Sequence, residues 1–513
     1  MRKSSLAQDT SSRRLPGQEA RRLSGQEARR LSGQEARRLS GQAAHRLSGQ
    51  ESRRLSGDEP LSTIDFRRTR LPSMRPDLDD YDPRDHRKPV HKIKVWMAYS
   101  NLFRATTGVG MLAMPFIIST TGILLGPILC LLTGILMIHA HSLLLDTLYE
   151  VARQLKMPYI SYRYAFRLAL LHGPPIFHGI ANYGPIIIAT CLFVSQLGIC
   201  SVIVIFTTDC LRDLMDWQAS QTALISLIFP YFVMEFFMRN FTIVSYVAVI
   251  GTILNLLGIA LVFEQLIEEA QGETIRFSAM LNYVLFSFGV MQFNLCAIGV
   301  VMAVDKHLEN PRVMRARFGV INVGIMIPTI ITLIFGTVGY WGFGTMEENI
   351  LRCLPFQERT SLATVCIYML AMILTYPLQS APAIHAILEV VKYYEKPGWP
   401  QPSEDTLFAI ENISKPIFVV LSFLICYIVP FQAPFLAFVG NLCASMLALV
   451  FPAVMDLCLR YPHYYGKHNL HLFKDMAMIF VGIASILFGC IFTTELINIR
   501  LKTKYSPNSY GFF

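Results

Sequence analysis

The chain has 513 residues, of which 53% are hydrophobic and only 16% charged, with a mean hydropathy of +0.42. Soluble globular proteins are nearer one quarter charged, so this composition argues against a cytosolic enzyme of this length. The net charge of +9 is uneven: residues 1–90 hold 20 basic and 13 acidic side chains, and the rest of the chain holds 25 and 23. That pattern fits a polytopic membrane protein with a basic cytosolic extension, and not a nucleic-acid-binding protein.

Residues 13–60 contain six octads, from RRLPGQEA through RRLSGQEA to RRLSGDEP. One Leu and one Gly per eight residues build no apolar face. Ordering such a chain costs roughly 1–2 kcal/mol per residue with little burial to offset it. Residues 1–91 are therefore expected to be a disordered tail. No apolar stretch follows the first basic residues, so the start does not read as a signal peptide. Arg-Arg-Leu-Ser matches the substrate motif of basophilic kinases, and places Ser24, Ser32, Ser40, Ser48 and Ser56 as phosphorylation candidates. Each phosphate adds about −1.5 to −2 charge, so five would make the tail acidic. A basic tail also suits an anionic lipid surface. The alternative is a tandem expansion without function.

Eleven apolar stretches follow: 95–118, 122–147, 176–206, 219–237, 242–263, 279–303, 318–342, 361–391, 415–430, 433–457 and 475–497. Each approaches the roughly 20 residues of a spanning helix. With the N-terminus cytosolic, fifteen Lys and Arg fall in cytosolic loops and four, Arg212, Arg276, Arg352 and Arg359, in the opposite ones, so the positive-inside rule selects that orientation. The transporter domain is then 92–498, and 499–513 is a short extracellular or luminal tail. The sequons at Asn240 and Asn412 fall on the cytosolic side and are expected to stay unglycosylated. Cys210 and Cys353 alone lie in or beside outer loops, where they either form a disulfide or remain two free thiols.

No enzyme signature survives. Gly108-Val-Gly110 fits a dinucleotide fingerprint by letters but lies in an apolar span with no preceding strand. His463, His468 and His471 sit in a basic loop without a thiolate and read as solvated. Neither a metal nor a cofactor is expected.

The informative feature is the run from Asn101 to Pro115, NLFRATTGVGMLAMP. Its glycines and proline weaken a helix. Irregular backbone at membrane depth is tolerated where it lines a cavity. A broken helix offers N–H groups to a carboxylate and C=O groups to a cation, and an amino-acid zwitterion needs both. Close packing at small residues is the alternative. Span six, five spans later, carries Gly289, Gln292, Asn294 and Gly299, where an inverted repeat places a second break.

At this point the residues resemble a known family. "NLFRATTGVGMLAMPF" with "GILLGPI" from Gly122, "SQLGIC" from Ser195, "IGVV" from Ile298, "GTVGYWGFG" from Gly336 and "TYPLQ" from Thr375 are similar to the amino acid/auxin permease superfamily, within it the proton-coupled amino acid transporters. The likeness covers roughly residues 92–460. It implies an all-α integral membrane fold of about eleven transmembrane helices, a LeuT-like five-plus-five inverted repeat with broken helices one and six. It also implies uptake of small neutral amino acids with protons, and a disulfide between the loops after spans three and seven, here Cys210 and Cys353. The sequence departs from the family at two places. Asn101 stands where the resemblance places a histidine, and Cys296 or Gly289 stands where it places a glutamate.

The substrate site is expected at Thr106, Thr107, Gly108, Val109 and Gly110, through backbone and hydroxyl contacts. Phe293, Asn294, Cys296 and Ala297 are the expected facing wall, with Gln196, Tyr376 and Gln379 along the path. Arg104 either points into the bundle or snorkels outward. His139 and His141, with unperturbed pKa values near 6.5, are the proton-coupling candidates, against a plain interfacial role. Glu235, Asp146 and Asp456, at span ends, are expected to be solvated. The expected function is amino-acid transport by alternating access in the plasma or endolysosomal membrane. The alternative is an amino-acid sensor that signals through its tail, with a kinase as partner.

Overall fold

The computed structural model describes residues 71, 81–87, 92–216, 220–238, 240–269, 281–344, 347–355, 358–393, 403–462 and 465–504. The octad repeats with Ser24, Ser32, Ser40, Ser48 and Ser56, His463, and residues 505–513 lie outside the described residues. Among the described residues the secondary structure is helical, apart from one isolated bridge between Ile93 and Leu308.

The first predicted span is three pieces: α1 (Val95–Thr106), α2 (Val109–Leu112) and α3 (Met114–Thr121). Pro115 opens α3, where its missing N–H is not needed. Then come α4 (Leu125–Gln154), α5 (Tyr162–His172), α6 (Gly184–Leu214), α7 (Ser220–Phe237) and α8 (Phe241–Glu269). The predicted sixth span is divided into α9 (Leu281–Leu295) and α10 (Ile298–His307). The second half continues with α11 (Val320–Phe343), α12 (Arg359–Tyr393) and α13 (Glu404–Ile428), the last capped by Ser403 Oγ accepting from Thr406 N–H at 3.2 Å, with Glu404 and Asp405 in its first turn. Helices α14 (Gln432–Val439) and α15 (Phe451–Arg460) are joined by π-helical turns over Gly440–Val450. Helices α16 (Leu470–Ala484) and α17 (Cys490–Lys504) are joined by π-helical turns over Ser485–Gly489.

Nine helical segments among the described residues are long and apolar enough to cross a membrane, and Gln221–Phe237 is a shorter apolar helix. Large apolar side chains such as Leu124, Phe229 and Phe480 point outward from the bundle, as a lipid-facing surface requires.

Several boundaries differ from the sequence reading. Helix α6 starts at Gly184, eight residues after the predicted span, and continues through Asp209 and Asp213, whose charges are met by Arg212 and Arg352. Helix α17 continues past Asn498 to Lys504, so the start of the expected tail is helical. Helix α5 was expected as loop. It buries Tyr162, Ala165, Phe166, Leu168 and Ala169 on one face, and its Arg163 and Arg167 are buried too. Glu235 and Asp456 are not solvated: each is buried, and Asp456 pairs with Arg460 at 2.9 Å. Asp146 does keep an exposed side chain, paired with Arg315 at 2.5 Å.

Candidate functional site

The two helix breaks meet in the interior. The first falls at Thr107 (φ −118°, ψ 45°) and Gly108 (φ −91°, ψ −147°). The second falls at Cys296-Ala297, with Ala297 at φ −121°, ψ 31°. They touch at Gly110 and Asn294: a Cβ built on Gly110 would lie 2.8 Å from Asn294 Cβ and 2.9 Å from its Oδ1. Asn294 Nδ2 donates to Thr332 Oγ1 at 3.2 Å, and its Oδ1 is buried without a partner.

Beside this contact lies a cavity of about 20 Å³, room for about one water. The first break contributes Gly108, Val109 and Gly110, and the second Phe293, Asn294 and Cys296. Arg104 and Ala105 line it from α1, Ile199 and Ile203 from α6, and Met372, Thr375 and Gln379 from α12. A Cβ on Gly108 would meet nothing within 4 Å, so this glycine borders open space.

Seven of the twelve expected substrate residues therefore line one cavity, and five do not. The Thr106 hydroxyl donates to Leu102 O at 2.9 Å and the Thr107 hydroxyl to Phe103 O at 2.7 Å, one turn back on their own helix. Asn255 Nδ2 donates to Thr107 Oγ1 at 3.1 Å, which occupies that hydroxyl further. Backbone bonding by mid-helix threonine is common, and here it removes both hydroxyls from the cavity. Ala297 gives its N–H to His141. Gln196 lies against Gly299, just beyond the second break. Tyr376 bonds Ser422 Oγ at 2.9 Å and packs on Tyr231 at 4.7 Å, inside an aromatic core. Ile199, Ile203, Met372 and Thr375 were not expected; the isoleucines carry no polar signal that singles them out.

Arg104 points inward and is fully buried. Its guanidinium donates to Thr107 O at the first break (3.2 Å), to Ala371 O of α12 (2.8 Å) and to Met372 Sδ (3.3 Å). Nε is unpartnered, and among the described residues no carboxylate lies within 4.0 Å of the group. The Thr107 carbonyl at the break, a group of the kind that coordinates a cation in broken-helix transporters, is thus held by a fixed one. Asn101 Nδ2 donates to Ser245 Oγ at 2.8 Å, so this position is packed on α8.

The two histidines separate. His141 is fully buried and reaches the second break; His139 is half-buried with its Nε2 unpaired. The expected disulfide is not formed: Cys210 and Cys353 are both free thiols. Cys210 faces the apolar core, and the two segments are joined instead by Arg352, whose Nε donates to Asp213 Oδ2 at 2.7 Å.

At the Asp305 end of the bundle, Arg87 and Ile93 tie onto α10 and the residue after it. Arg87 donates to Asp305 Oδ2 (2.8 Å), to Asp305 O (3.0 Å) and to Pro158 O (2.8 Å), and Tyr149 OH donates to Asp305 Oδ1 (2.6 Å). The Arg87 guanidinium also covers the Tyr159 ring, 5.1 Å away. Burial pushes the Tyr159 hydroxyl well above its ordinary range. The Arg84 hydrogen bond holds the Asp82 carboxyl below the usual carboxylate range. Arg163 and Glu389 pair at 2.5 Å nearby.

A helical membrane bundle whose two broken helices enclose a buried cavity is the architecture of a secondary transporter. Residues 91–495 match the family model described as transmembrane amino acid transporter protein. The chain belongs to that family, part of the amino acid/auxin permeases. It is 25% identical over 419 residues to the "Proton-coupled amino acid transporter-like protein pathetic" of Drosophila melanogaster, covering 80% of this chain and 87% of that protein. It is 21% identical over 314 residues to the "Probable amino acid transporter skat-1" of Caenorhabditis elegans, covering 57% of this chain and 66% of that one. The fold is similar to that of a Na+-coupled sialic acid symporter in a substrate-bound, outward-open state, with a TM-score of 0.53 and 13% identity over 88% of this chain and 96% of the other.

Proposed function

We propose that this protein moves small neutral amino acids across a membrane together with protons, by alternating access around the cavity between its two helix breaks. The juxtaposition of the breaks carries the reading. The N–H groups opening α2 suit a substrate carboxylate, and the carbonyls ending α9 suit an ammonium. Val109, Ile199, Ile203, Phe293 and Met372 make much of the wall apolar, and Arg104, Asn294, Thr375 and Gln379 add polar groups to it. A cavity of about 20 Å³ is smaller than any amino acid, so loading requires the helices to part. The Arg87–Asp305–Tyr149 cluster is the barrier we assign to the cytosolic end, with the N-terminus on that side and the protein in the plasma or endolysosomal membrane.

The octad repeats favour a second reading, an amino-acid sensor signalling through phosphorylation of its tail with little flux. Uptake of labelled neutral amino acids into proteoliposomes, with and without an inward proton gradient, separates the two. Gradient-stimulated uptake is expected. Amino-acid binding without uptake, combined with substrate-dependent modification of the tail serines in cells, would replace transport by sensing.

A further inference from the structure

His141, on α4, is fully buried and bonded at both ring nitrogens. Nδ1 lies 2.7 Å from Met137 O on the same helix, and Nε2 lies 3.1 Å from the Ala297 amide nitrogen. A carbonyl only accepts, so Nδ1 carries the ring proton. An amide N–H only donates, so Nε2 is bare. The two contacts together fix one neutral tautomer. Ala297 is the residue at which the sixth span leaves helical geometry (φ −121°, ψ 31°), so its N–H is satisfied by the imidazole at the break.

We propose that His141 is the proton-binding group of this transporter, and that its protonation acts by releasing the Ala297 N–H. This inference rests on the transport reading above. A proton on Nε2 sets two N–H groups against each other across 3.1 Å, and that contact cannot persist. Beyond Gln292, whose carbonyl already bonds the Cys296 N–H, the last carbonyls of α9 have no continuing helix to bond and offer the imidazolium a new acceptor. The same turn carries Phe293, Asn294 and Cys296, which line the cavity. Proton and substrate then act on one element, and each must alter the other's affinity by the same factor.

The surroundings leave His141 free to take this role. The helices packed against α4 are α3, α5, α9, α11 and α15, together with the π turns after α14. Their titratable groups are Tyr283 on α9, Cys296 at the break, Tyr340 on α11, Cys443 in the π turns, Asp456, Cys458 and Arg460 on α15, and Tyr162, Arg163, Tyr164, Arg167 and His172 on α5; α3 has none. The charged members have partners elsewhere: Arg163 with Glu389, Arg167 with Asn182, Asp456 with Arg460 and Lys474. On α4 itself Asp146 pairs with Arg315, Glu150 with Arg153, and Tyr149 with Asp305 of α10, which Arg87 also holds; Cys130 and His139 are its other titratable groups. Tyr162 OH donates to Leu447 O.

The test uses the purified full-length protein and its His141→Gln, His139→Gln and Glu235→Gln variants. Glutamine can still accept the Ala297 N–H but does not titrate. The first readout is binding of a mixture of tritiated small neutral amino acids across about pH 5 to 8. Wild-type affinity is expected to change on the order of tenfold, His141→Gln to be flat, and the other two variants to follow wild type. Unchanged pH dependence in His141→Gln, or its loss in either other variant alone, overturns the proposal.

The second readout is hydrogen exchange of a peptide spanning 293–298, compared between wild type and His141→Gln at each pH. Excess exchange is expected in wild type at the acid end, and its absence also overturns the proposal. Excess exchange in a protein that binds no amino acid at any pH supports the proton switch and sinks the transport reading instead. Where His141→Gln abolishes binding outright, the exchange comparison decides alone.

Discussion

Gly110 and Gly108 stand two residues apart and should respond oppositely to the same substitution. In Gly110→Ala the new Cβ lies 2.8 Å from Asn294 Cβ, 2.9 Å from Oδ1 and 3.2 Å from Cα. Asn294 cannot simply swing away, because its backbone is also too close and its amide holds Thr332 Oγ1 at 3.2 Å. Overpacking of this kind costs about 1–3 kcal/mol, and a strained hydrogen bond adds up to about 1 kcal/mol. Removing a helical glycine returns about 0.5–1 kcal/mol. The net expectation is a loss of about 1–3 kcal/mol. Gly108→Ala meets nothing within 4 Å and its φ of −91° is open to L-residues, so stability should change by about 1 kcal/mol at most. Thermal denaturation of both variants in one detergent, each with amino-acid binding measured alongside, checks this. Gly110→Ala should melt a few degrees lower, while Gly108→Ala melts like wild type but binds more weakly. Equal melting of the two would refute the contact between the breaks.

Arg104→Met leaves Thr107 O and Ala371 O without their donor and should lower uptake by about tenfold or more, with Arg104→Lys retaining part of it; uptake at matched protein amounts is the measure. Tyr376→Phe loses only the bond to Ser422 and should cost about 1 kcal/mol of stability with binding intact. Gln379→Ala, which alters the lining, should weaken binding with stability intact. Cys296 lines the cavity. In a variant with Cys296 as its single cysteine, a neutral amino acid should slow its reaction with a thiol reagent, and Arg87→Ala should speed that reaction by unfastening Asp305.

The position of both breaks was legible because backbone irregularity needs local signals. Thr-Thr-Gly-Val-Gly marks the first, and the repeat spacing points to the second. Which side chains face the cavity was less legible. The Thr106 and Thr107 hydroxyls can bond either a ligand or their own helix, and one turn of backbone decides. Tyr376 sits in a motif that resembles the family's, yet its hydroxyl is taken by Ser422 on a helix 46 residues away. The buried state of Glu235 and Asp456 was hidden because it depends on which helices pack over a span end, not on the residues beside it. Helix α5 was masked because its arginines read as loop charge, although Arg163 is held by Glu389, 226 residues on.

The central claim is that the cavity between the breaks is where an amino acid binds on its way through. Uptake of labelled neutral amino acids by wild type and Gly108→Leu, reconstituted side by side, tests it most directly. The leucine side chain exceeds a cavity of about 20 Å³ while leaving the surface of the protein untouched. Wild type should take up amino acid and Gly108→Leu none, compared at equal amounts of folded, reconstituted protein. Wild-type rates in the leucine variant would contradict it and place the substrate elsewhere.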